Sequence, residues 1–126
     1  MGKSKRRGIM RYFKLEEFDS PDEKGSGNKM SEELLSMLNI ARKKFGKPIK
    51  INSGYRTIAH NKKVGGKPSS SHLKGLAADI SCTNSVDRFK LEGILREVGF
   101  NRLGVAGTFI HVDIDKNKSP NVMWVY

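Results

Sequence analysis

Three histidines, His60, His72 and His111, are among the scarcest titratable residues of this 126-residue chain. Two of them stand near aspartates. The stretch "SSHLKGLAAD" puts His72 in a Ser/Gly-rich turn and Asp79 at the mouth of an Ala-rich apolar run, and "FIHVD" puts His111 two residues before Asp113. Neither a turn nor a buried strand gains stability from such residues, whereas a metal ion would use them. Gly75, Ala77 and Ala78 let the backbone between His72 and Asp79 fold tightly, so that both side chains could reach one point. A His-Asp-His set with its fourth position open is the donor type of a catalytic zinc site, while closed structural sites favour cysteine. Cys82 is the sole cysteine, so neither a closed site nor an internal disulfide is available, and it reads as a small core residue. The spacing alone equally suits a loop histidine, a strand-end aspartate and a satisfied core histidine.

The elements that must position these residues follow from periodicity. Ser31 caps a helix with Glu32 and Glu33 in its first turn and Arg42, Lys43 and Lys44 near its end, the charge order that suits the helix dipole. Leu34, Leu38, Ala41 and Phe45 recur at helical spacing, and Gly46 and Pro48 stop the run. "PIKINSGYR" gives a short strand with Ile49 and Ile51, broken at Ser53-Gly54, and Thr57 to Lys63 suit one or two helical turns. "VGGKPSSS" is a loop and "LAADISC" a buried strand. A second helix starts at Asn84 or Ser85, with Val86, Phe89, Ile94, Leu95 and Val98 on its apolar side and Gly99 just past its end. "RLGVAG" and "TFIHVDID" form a strand pair, and "VMWVY" a terminal strand. In "FIHVD", Ile110 and Val112 point to one face and Phe109, His111 and Asp113 to the other. The expected fold is α+β, a small antiparallel sheet flanked by helices, with residues 1–9 a flexible basic tail and 10–126 one domain.

Composition bounds the partners. Lys and Arg total 24 against 13 Asp and Glu, a formal charge of +11, which bears on partners more than on fold. Nucleic acid, an anionic membrane surface and an anionic cell-wall polymer all fit. No zinc-finger spacing, basic-region heptads or RNA-binding strand signature accompanies the charge, so specific nucleic-acid binding is not expected. No apolar run approaches the ~20 residues of a membrane span. The N-terminal "MGKSKRRGIMRYF" lacks the apolar core of a secretory signal, so cytoplasmic synthesis is expected, with action elsewhere requiring release or delivery.

"SGYRTIAHNKKVGG", "SSHLKGLAAD" and "GFNRLGVAGTFIHVDID" together resemble the zinc D-Ala-D-Ala carboxypeptidase family, which includes bacterial and phage murein peptidases and shares its fold with the hedgehog zinc domain. The likeness runs from about Tyr12 to Tyr126 and is carried by Ser70, His72, Gly75, Ala77, Asp79 and His111. It implies a hedgehog/DD-peptidase-like fold and one zinc ion held by His72, Asp79 and His111. Arg56 would face the substrate carbonyl, and Ser70 and Tyr55 would contact substrate. His60 is not a ligand by this pattern. The implied substrate is a peptidoglycan stem or cross-link peptide, cleaved by a carboxypeptidase or endopeptidase of the kind found in phage or prophage lysis. The charge would add electrostatic attachment to anionic wall polymers, and the protein would act as a monomer.

The chain departs from the family pattern where the catalytic base is usual, just upstream of the last ligand. Thr108 and Phe109 occupy those positions and cannot accept a proton. Asp113 is the best replacement, as base or as holder of the His111 ring, with Asp115 a weaker candidate. The competing reading is a catalytically inactive, zinc-stabilised cell-wall-binding module.

Overall fold

The computed structural model describes residues 11–126; the tail expected at residues 1–9 lies outside the described residues, as does Met10. Three helices, α1 (Glu32–Phe45), α2 (Ile58–Lys63) and α3 (Ser85–Val98), accompany five strands, β1 (Ile51–Ser53), β2 (Ala77–Ser81), β3 (Arg102–Val105), β4 (Phe109–Asp113) and β5 (Val122–Val125). The strands form one sheet in the order β1-β2-β4-β3-β5. This is the expected α+β class, with one difference. Pairings β1/β2, β2/β4 and β4/β3 are antiparallel, but β3 and β5 are parallel. The reason is connectivity. β4 ends where β3 begins, so the loop after Asp113 delivers the chain to the start of β3. There Val122 N–H donates to Asn101 O at 3.0 Å and Arg102 Nη1 to Ser119 O at 2.6 Å, and β5 has no choice but to run alongside.

Each helix begins where a side chain satisfies an otherwise unpaired backbone N–H. Ser31 Oγ accepts from Leu34 N at 3.3 Å, Thr57 Oγ1 from His60 N at 3.0 Å and Asn84 Oδ1 from Asp87 N at 2.9 Å, each of the kind worth about 1 kcal/mol. α1 buries Leu34, Leu35, Leu38, Ala41 and Phe45 against Ala78 and Ile80 of β2, Ile110 and Val112 of β4 and Leu103 of β3. Strand alternation sends the intervening residues Asp79, His111 and Asp113 to the other face. The sheet therefore has a core side and a polar side.

One region differs from expectation. In α3 the buried residues are Leu91 and Leu95, with Ile94 and Val98 partly buried beside them. Val86 and Phe89 were expected on that side but are 79% and 83% exposed. At 3.6 residues per turn they project roughly opposite Leu91. The segment from Arg11 to Met30 carries no named strand. It makes two 3-10 turns, Leu15–Phe18 and Ser26–Lys29, and places Phe13 and Phe18 in the core with ring centroids 5.8 Å apart. Asp19 holds the loop shut by accepting from Gly25 N at 2.9 Å and Gly27 N at 2.7 Å.

Leu91→Ala and Leu95→Ala should each cost about 2–5 kcal/mol. Val86→Ser and Phe89→Ser should stay within about 0.5 kcal/mol. Urea unfolding of the four variants measures both.

Candidate metal centre

The polar side of the sheet is built in rows. Ser53 of β1 lies opposite Asp79 of β2, which lies opposite His111 of β4, which lies opposite Gly104 of β3, which is paired with Trp124 of β5. One cross-strand row thus carries an aspartate and a histidine side by side, and His111 Nδ1 comes within 2.9 Å of Asp79 Oδ1.

His72 arrives from outside the sheet on the 3-10 turn Ser71–Lys74. Ser70 caps that turn, its hydroxyl accepting from His72 N at 3.2 Å. Gly75 ends it at φ +70°, and a Cβ there would strike the Lys29 carbonyl, so both conformation and space require glycine. Asp115, buried, accepts from Ser71 Oγ at 2.8 Å and ties the turn to the end of β4. The result sets His72 Nε2 3.3 Å from Asp79 Oδ1, with the two imidazole centroids 5.2 Å apart.

Two imidazoles and one carboxylate suit zinc, and one donor atom from each of His72, Asp79 and His111 lies within 4.8 Å of the others. The opposite ring nitrogens are also provided for. His72 Nδ1 donates to Gly54 O at 2.7 Å, which leaves Nε2 as the donor atom toward a metal. His111 Nε2 faces Asp113 Oδ2 at 2.8 Å, which leaves Nδ1. Carboxylate or carbonyl backing of this kind fixes ring orientation and tautomer at metal sites.

The electrostatics follow from the same contacts. Burial raises the pKa of Asp79, but its hydrogen bonds to His111 and His72 outweigh that and hold the carboxyl well below the usual range. Burial lowers the pKa of His111, yet Asp113 and Asp79 bring it above its ordinary value. For Asp113, burial raises and the bonds from His111 and Arg102 lower, with a net shift downward. Cys82 is buried, and burial raises its thiol pKa, so it is an inert core residue.

The remaining expected residues divide. Arg56 reaches the site, with Nη2 3.4 Å from Asp79 Oδ2, Nε donating to Ser53 Oγ at 3.1 Å and Nη1 to Asn61 Oδ1 at 3.2 Å. Arg56 and Ser70 line the same open cleft of about 740 Å³ as His72, Asp79 and His111. Tyr55 does not line it. Its ring packs against the core and lies under Lys29 Nζ, 5.1 Å from the centroid, because its N–H is tied to Phe18 O at 2.9 Å on the other side of the chain. His60 lines a smaller recess beside Arg56 and Phe109. Asp113 has both oxygens engaged, Oδ2 by His111 and Oδ1 by Arg102 Nε at 2.6 Å and Asp115 N at 3.2 Å. Asp115 holds Ser71, and Lys74 Nζ lies 3.3 Å away. Sequence reasoning missed Arg102, Trp124 and Tyr126, which also line the cleft. The one available signal was the alternation of "VMWVY", which puts the tryptophan and the tyrosine on one face.

A family model described as Peptidase M15 matches residues 11–115. A search of curated proteins finds no match. The M15 peptidases are the zinc D-Ala-D-Ala carboxypeptidase-like family, and they depend on the metal that His72, Asp79 and His111 could hold as a single ion. On the strength of that match across most of the chain, with a zinc donor set assembled on the polar side of its sheet, the protein belongs to the M15 family of zinc metallopeptidases.

Proposed function

We propose that residues 10–126 form one peptidase domain that hydrolyses an amide of peptidoglycan stem or cross-link peptides, as a carboxypeptidase or endopeptidase. The observation that carries this reading is the convergence of His72, Asp79 and His111 on the floor of an open cleft with the Arg56 guanidinium beside them. His72 Nε2, an Asp79 carboxylate oxygen and His111 Nδ1 would hold the ion. The chemistry zinc supplies when bound is Lewis acidity, which polarises a carbonyl and acidifies water at neutral pH.

The chain's own residues do the rest. Gly54 O and Asp113 hold the two imidazoles in the tautomers the site needs. Asp113 sits across the His111 ring from Asp79 with every oxygen occupied, so it serves as a positioning residue and not as the proton acceptor. Arg56 spends one bond each on Ser53, Asn61 and Asp79 and keeps guanidinium N–H groups to bind the amide oxygen as negative charge develops there. Ser70 orients substrate from the rim of the His72 turn. The charge of +11 adds salt-dependent attachment to anionic wall polymers. No helix among the described residues is long and apolar enough to cross a membrane, and a phage or prophage lysis role, in a monomer reaching the wall after release, fits these features.

A second reading, a zinc-stabilised wall-binding module without turnover, draws support from Thr108 and Phe109 at the usual positions of the base and from the engagement of Asp113. Digestion of purified peptidoglycan decides between the two. Mass spectrometry should find newly cleaved peptides that vanish with chelator and return with zinc; a zinc-loaded protein that cleaves nothing would establish the module.

Asp113→Ala should weaken zinc binding by about 10- to 100-fold, and excess zinc should restore much of its turnover; were Asp113 the base, turnover would stay lost at saturating metal. Arg56→Ala should lower kcat by about 100-fold or more with zinc stoichiometry unchanged in metal analysis.

A further inference from the structure

The site row runs on past His111 to the far edge of the sheet. Gly104 is the β3 member, and a Cβ there would fall on the Trp124 indole. Only glycine leaves room for that ring to lie over the sheet, 5.4 Å from His111 and 5.3 Å from the Arg102 guanidinium carbon. Two residues on, strand alternation returns Tyr126 to the face that carries Trp124. Its backbone N–H still follows β3, donating to Val105 O at 3.2 Å. Its ring packs on Phe109, centroids 5.0 Å apart, and lines the cleft with His72, Asp79 and His111.

Two other donors of the cleft are already engaged. Arg102 is bound to Asp113 and Ser119 O, and Lys118 donates to Ser71 Oγ at 3.0 Å. Tyr126 is 68% exposed, so its hydroxyl can meet a ligand. We infer that Tyr126 is a further catalytic residue, its phenol O–H donating a hydrogen bond to the oxygen of the amide under attack. This rests on the peptidase reading above.

Tyr126→Phe tests this, because it removes one oxygen and keeps the ring on Phe109. Turnover of purified soluble peptidoglycan should fall about 100-fold in kcat with KM within about twofold. Trp124, the sole tryptophan, sits beside His111 and reports zinc uptake by its fluorescence, which should titrate identically in variant and wild type. Full turnover in the variant, or loss of zinc uptake, overturns the inference while leaving the peptidase reading standing. A wild type that takes up zinc and cleaves nothing overturns both.

Discussion

The register between β2 and β4 is the constraint on which the site depends. Asp79 faces His111 across that pairing, and Ile80 faces Ile110 one step along. A slip of one residue would turn each strand over and exchange core for site. The core prevents it. Ile80, Ile110 and Val112 are completely buried, and each such side chain is worth about 1.5–3 kcal/mol relative to exposure. The positions of Asp79 and His111 are therefore set by hydrophobic burial on the opposite face of the same strands, and not by any affinity of the two side chains for one another.

Burying Asp79, His111 and Asp113 has a cost that the architecture offsets with a continuous polar chain. It runs from Gly54 O through His72, Asp79, His111, Asp113 and Arg102 to Ser119 O. An unpaired buried polar group commonly costs about 1–3 kcal/mol, and among the described residues Arg88 Nε is the one buried side-chain atom without a partner. The same chain reaches across loops as well as strands. Gly54 precedes α2, and Ser119 lies in the crossover to β5, so ordering the site also orders the segments that border the cleft. Such backing lets the imidazoles hold their orientation before any ligand arrives, which is what makes electrostatic catalysis effective.

Several features were legible in the sequence because they are local. A serine before two glutamates and a helical repeat marks the start of α1, since the cap and the helix lie within a few residues. Alternation in "FIHVD" separates Ile110 and Val112 from His111 and Asp113, since strand geometry alone imposes it. His72, Asp79 and His111 stand out because such residues are poorly explained by a turn or an apolar strand. The face of α3 was misjudged because Val86 and Phe89 are as hydrophobic as Leu91 and Leu95; only the position of α1 decides which pair is covered. Tyr55 lies away from the cleft because its backbone is claimed by Phe18, a contact made across a distant loop.

The sequence by itself determined the kinds of donor atom, the face each strand offers and the elements that carry them, because those depend on residue chemistry and short-range backbone periodicity. The tertiary structure decided which strands are neighbours. It ran β5 parallel to β3 and so brought Trp124 and Tyr126 to the cleft beside His111. It also placed Arg102 against Asp113, which engages a carboxylate that the sequence left open as a proton acceptor. These outcomes follow from the connection between β4 and β5 and from packing across the sheet, contacts between residues far apart in the chain that no local pattern encodes.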